Sequence, residues 1–143
     1  MTQTLVIGYG NRLRRDDGAG PWVAERFAGR PGIRVIVVHQ LLPELADELA
    51  VCQRVVFVDA AASATLVSVR VTEPASRQSC LGHTCDPASL LGLTAAIHSV
   101  SPKAWLVTVP AHDLGHGEGL SKETESATEA TVLVIERLIE GHE

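Results

Sequence analysis

Short apolar runs at residues 4–7, 33–38, 54–58 and 104–109 are separated by segments with helical spacing of their apolar positions. Alternation of this kind builds a layered α/β domain, because each strand must bury both faces under helices. A further run, residues 66–72, alternates Val67, Val69 and Val71 with Ser68, Arg70 and Thr72. That pattern fits a strand with one exposed face near a sheet edge. Helices are expected after Pro21, from Pro43 through Leu45, Ala46 and Leu49, over residues 88–99, and from an N-cap at Ser121 to about Glu140. Glu123 and Glu125 suit the first turns of the last of these.

The 143 residues make a single domain spanning residues 1–143. At 45% hydrophobic and 20% charged, the chain has the composition of a packed globule. Twelve Lys+Arg against seventeen Asp+Glu give a net charge of −5, and the cations are scattered, so nucleic acid is not expected as a partner. No apolar run approaches the roughly 20 residues of a membrane span. Residues 4–7 follow the start with no basic flank, so no signal peptide is expected. Cys52, Cys80 and Cys85 cannot all pair with one another, which points to a reducing cytoplasm.

The loop after the first strand, Gly8-Tyr9-Gly10-Asn11-Arg12-Leu13-Arg14-Arg15-Asp16-Asp17-Gly18-Ala19-Gly20, is the most informative stretch. A dinucleotide fingerprint fails on spacing, since its third glycine would fall on Leu13. No Gly-Lys-Ser/Thr follows, so it is not a P-loop. Two adjacent carboxylates on a short backbone suit either hard-ligand metal binding or capping of the next helix. One cap and one functional carboxylate is the natural division.

Asp59 ends an otherwise apolar strand. If strands one and three are parallel neighbours, Asp59 and Asp17 share the carboxyl end of the sheet, where open α/β folds bind ligands. The plain alternative is a strand-end Asp capping a turn. His83 lies in a later loop, and an isolated loop histidine is ordinarily just solvated. Two carboxylates and one imidazole nevertheless make a three-ligand set for a divalent ion such as nickel or zinc. Cys80 and Cys85 with His112 and His116 make a weak zinc pattern, because the intervening elements are too long for a finger. Cys52 reads as a buried thiol.

This pattern resembles the hydrogenase maturation endopeptidases, over essentially the whole chain. The resemblance rests on Gly8-x-Gly10-Asn11-x-Leu13-x-x-Asp16-Asp17-Gly18-x-Gly20, then on Gln40-Leu41-Leu42-Pro43-Glu44-Leu45 and Val58-Asp59-Ala60. It continues in the His83 segment leading to Pro87 and Leu90-Leu91, and in Gly117-Glu118-Gly119-Leu120-Ser121. It implies a three-layer α/β/α sandwich with a twisted, mostly parallel sheet of about five strands. It also implies removal of a C-terminal extension from the large-subunit precursor of a nickel-iron hydrogenase, with nickel carried by that precursor.

By motif position, the implied metal-contacting and catalytic residues are Asp17, Asp59 and His83. The family often has Glu in place of Asp17, which leaves Asp16 as a substitute contact. The glycines Gly8, Gly10, Gly18 and Gly20 are expected to let substrate backbone approach, and Asn11 to orient the loop. The client's specificity is expected in residues 12–20 and 112–120, with Arg12, Arg14 and Arg15 either steering an acidic patch or simply solvated. The protein is expected to act as a cytoplasmic monomer, as a peptidase of aspartic or metallo type. The competing readings are a non-catalytic metal-checking chaperone for the same precursor, and a small-molecule binding domain.

Overall fold

The structure is a computed structural model and describes residues 2–75 and 85–141. Five strands, β1 (Thr2–Tyr9), β2 (Ile33–Val38), β3 (Cys52–Ala61), β4 (Ser68–Val71) and β5 (Lys103–Pro110), form one sheet in the order β2-β1-β3-β5-β4. All neighbours are parallel except β4, which runs antiparallel to β5. The helices are α1 (Ala19–Glu25), α2 (Ala46–Leu49), α3 (Pro87–His98) and α4 (Lys122–Ile139).

Side-chain alternation along the strands divides the core into two layers. Leu5, Ile7, Val55, Phe57 and Ala104 face one way and pack with Ala46 and Leu49 of α2 and with Leu90, Leu91 and Leu93 of α3. Val6, Val56, Val58, Trp105, Val107 and Val109 face the other way, against Val23 and Ala24 of α1 and Val132, Ile135 and Leu138 of α4. The near-continuous apolar strands are thus those of a sheet covered on both sides, and the three-layer α/β/α architecture follows.

Several elements differ in extent from the sequence pattern. β3 runs on to Ala61, past Asp59, where the apolar run ends. The segment opened by Pro43 is a 3-10 turn (Pro43–Leu45) before the one-turn helix α2. β4 is the expected edge strand, but all four of its residues are exposed, so its alternation does not mark a buried face. Ser121 caps α4 as expected, its hydroxyl accepting from Thr124 N–H at 3.3 Å. Cys52 is the buried free thiol expected, pushed up to about 11 by burial, whereas Cys85 is disulfide-bonded.

The strand order places a topological switch between β1 and β3. The chain leaves β1 for β2 on one side and returns to β3 on the other. The loops after β1 and β3 therefore diverge above the sheet and open a crevice at its carboxyl end.

Candidate functional site

The loop following β1 folds back on itself through its glycines. Gly10, at φ +146°, lies against the backbone carbonyl of Asp17, where any Cβ would collide. Gly20, at the start of α1, leaves no room for a Cβ between the carbonyl oxygens of Val58 and Tyr9. Close approach is thus needed, but the chain's own backbone fills the space at these positions. This corrects the expectation that the glycines admit substrate. Asn11 does orient the loop: its Oδ1 accepts from Leu13 N–H at 2.9 Å.

The adjacent carboxylates Asp16 and Asp17 have separate fates. Asp16 is completely buried. Its Oδ1 accepts the Ser121 N–H at 2.7 Å, and its Oδ2 accepts the N–H groups of His112 and Asp113 and the Ser121 hydroxyl. The Thr124 hydroxyl lies 2.8 Å from the same Oδ2 and 2.9 Å from the Pro110 carbonyl, and its one proton serves either. Burial works against the Asp16 charge, but the donors from Ser121, Asp113 and His112 outweigh it and hold the carboxyl well below the usual range. Asp16 therefore braces the start of α4, a helix distant in sequence, and not the helix that follows it.

Of the two adjacent carboxylates, Asp17 is the one with an exposed side. Asp16 is turned wholly inward, its carboxylate taken up by donors from within the chain. The same interaction joins the two glycine-containing loops. Arg15 N–H donates to Gly117 O at 3.0 Å, Gly117 N–H to Leu13 O at 2.8 Å, and Asp16 N–H to Asp113 O at 2.9 Å. The two segments expected to carry client specificity are one locked unit.

Asp17 is only half-buried, and its Oδ2 accepts Asn11 N–H at 2.7 Å. Asp59 is likewise half-buried, with Oδ1 accepting its neighbour's N–H, from Ala60, at 2.8 Å. The two carboxylates are close enough to repel. Burial pushes the Asp59 carboxyl up to about 6, the hydrogen bonds from Ala60 and Tyr9 oppose this, and the charge of Asp17 adds to it. Asp17 and Asp59 thus converge at the switch between β1 and β3, as the parallel pairing of these strands requires.

His83 lies outside the described residues, as does Cys80. Among the described residues, no group of three or more His, Cys, Asp or Glu is arranged to hold a metal ion, which leaves the zinc-finger pattern unsupported there. No helix among them is long and apolar enough to cross a membrane.

Sequence reasoning did not single out Tyr9. It sits one step beyond the Gly8–Val58 pair, beside Asp59 and on the same sheet face, and its hydroxyl hydrogen-bonds the Asp59 carboxylate. Beside the loops, Arg12, Arg15, Trp22 and Leu120 line a cleft of about 310 Å³. Its charges are balanced locally: Arg12 pairs with Glu25 at 2.7 Å and Arg15 with Asp113 at 3.1 Å. Two of the three arginines are therefore committed within the chain.

A half-open carboxylate pair at the switch point of this sheet is set in the fold of the hydrogenase maturation endopeptidases, which the chain shares along nearly its whole length. It superposes on the hydrogenase maturating endopeptidase HybD from E. coli with a TM-score of 0.77 at 18% identity, covering 97% of this chain and 93% of that one. HybD from Thermococcus kodakarensis, a [NiFe] hydrogenase maturation protease, gives 0.74 at 22% identity, with 96% and 99% covered. The hydrogenase 2 maturation peptidase from Thaumarchaeota archaeon SCGC_AB-539-E09 gives 0.69 at 24% identity, with 99% of each chain covered. At these identities the likeness is one of fold. No protein-family model matches the chain, and no curated protein matches it in sequence.

Proposed function

We propose that this protein is an endopeptidase that removes the C-terminal extension from the nickel-loaded large-subunit precursor of a nickel-iron hydrogenase. The observation that carries this reading is the convergence of Asp17 and Asp59 at the carboxyl end of the sheet, in a fold shared with several maturation proteases. The nickel belongs to the substrate. Asp17, Asp59 and His83 are the residues that would contact its site. Asp86, three residues after His83, acts electrostatically on Tyr9 and so lies within range of the same crevice.

The chemistry asked of these residues is amide hydrolysis. Asp59, with its carboxyl near 6, is matched to exchanging a proton close to neutral pH. As general base it would accept a proton from a water attacking the scissile carbonyl, then return it to the departing amide nitrogen. Asp17 stands beside it, the arrangement by which paired carboxylates hold a shared proton. The loop unit of residues 12–20 and 112–120 would face the client. The protein would act as a monomer in the cytoplasm.

Processing of a purified nickel-loaded precursor, followed by mass, tests the proposal. Loss of a C-terminal peptide with the wild type and its retention with Asp59→Asn is the expected result. Binding of the precursor with no change of mass would replace the protease by a metal-checking chaperone.

A further inference from the structure

Tyr9 occupies a position that packing alone does not explain. Its ring lies against the core layer formed by Leu5, Ile7, Phe57 and the α2 and α3 side chains, a place that phenylalanine would fill equally well. Its hydroxyl reaches the Asp59 carboxylate. The parallel register explains why: Ile7 pairs with Phe57 and Gly8 with Val58, so Tyr9 and Asp59 emerge together at the end of one sheet face. The row continues, because Asp59 pairs with Thr108 of β5, and Thr108 with Ser68 of β4. Beneath it lies an apolar row, Ile7–Phe57–Leu106, in which Arg70 of the edge strand comes opposite Leu106. The core therefore ends in a polar shelf, and Asp59 is the carboxylate on it.

The charged groups facing this pair come from several elements. Asp59 and Asp86 disfavour loss of the Tyr9 proton, after burial itself, and Arg70 acts the other way. A phenol carries its O–H near neutral pH in any case, so Tyr9 brings a donor to this shelf. A neutral donor set beside a carboxylate on one sheet face is suited to fixing its direction. With Ala60 N–H on Oδ1 and the Tyr9 hydroxyl also bound, the Asp59 side chain is held at two points.

We infer that Tyr9 is a positioning residue for the reaction: its hydroxyl fixes the Asp59 carboxylate toward the substrate crevice, and it acts only through Asp59. The inference rests on the proposed peptidase function. Partners that hold a working carboxylate from behind commonly contribute about ten- to a hundredfold to affinity or activity.

The test is Tyr9→Phe, which keeps the ring and removes the hydroxyl. With nickel-loaded precursor as substrate, kcat should fall at least about tenfold while KM stays near the wild-type value. Processing by Tyr9→Phe at the wild-type rate would overturn the inference. A second measurement does not depend on activity. Melting temperatures of wild type, Tyr9→Phe, Asp59→Ala and the double variant form a cycle. The Tyr9→Phe shift should shrink when Asp59 is already absent, and an equal shift in both backgrounds would overturn the link. If the wild type itself leaves the precursor uncut, the proposed function fails, and the melting cycle still decides whether Tyr9 acts through Asp59.

Discussion

Ser121 gives both its backbone N–H and its hydroxyl to Asp16, each at 2.7 Å, across a separation of 105 residues. One carboxylate thereby closes the loop after β1 against the first turn of α4. Asp16→Asn puts an amide N–H₂ among donors and deprives several of them of an acceptor. The expected cost is on the order of 3 kcal/mol, read as a lower denaturant midpoint at unchanged slope. Asp17→Asn, at the neighbouring half-buried position, should leave the midpoint nearly unchanged. Equal losses for the two variants would contradict their separate roles.

Asp16 and Asp59 should pull the pH dependence of stability in opposite directions. The Asp16 carboxyl is depressed in the folded state, so its contribution is present above the unfolded value of about 3.9 and is lost as pH falls below it. The Asp59 carboxyl is raised to about 6, so folding takes up a proton between about pH 4 and 6, and stability falls as pH rises through that window. Asp59→Asn should therefore stabilise the fold by about 1–3 kcal/mol at pH 7 and by almost nothing at pH 3. Denaturant titrations at the two pH values check this. A variant less stable than wild type at pH 7 would contradict it.

The same shift predicts a limb in the activity profile. If Asp59 works as a carboxylate, kcat for precursor processing should fall below about pH 6 by roughly tenfold per pH unit. A rate that stays flat down to pH 4.5 would remove Asp59 as the proton acceptor.

The layered fold was legible because β1, β3 and β5 are buried on both faces and read as apolar runs with helices between. Asp59 was legible as well, since a carboxylate closing such a run is conspicuous. The division of labour between Asp16 and Asp17 was not. They are neighbours in one loop, and what separates them is Ser121 and Thr124, 105 and 108 residues away, which no local spacing encodes. Tyr9 was missed because an aromatic between two glycines at a strand end reads as core, and only the register with β3 sets it beside Asp59. The exposure of β4 escaped notice because a valine alternation looks the same whether or not a layer covers it.

Packing of the glycine loop gives a further expectation. Gly20→Ala forces a methyl between the carbonyl oxygens of Val58 and Tyr9, which are main-chain atoms that cannot swing aside. α1 must then lift from β1 and β3, at a cost of about 1–3 kcal/mol or more, together with loss of processing as Asp17 shifts. Gly29→Ala is the control for the loss of a glycine: at φ +82° with open space around it, it should strain the turn yet leave processing intact. Thermal melts and processing assays on the two variants separate the effects.

The central claim is tested most directly by the intact mass of the hydrogenase large subunit from cells with this protein, without it, and with Asp59→Asn in its place. The account predicts that the subunit keeps its C-terminal extension when the protein is missing or carries Asp59→Asn, and loses it only with the wild type. A subunit trimmed to the same mass in all three would contradict the account.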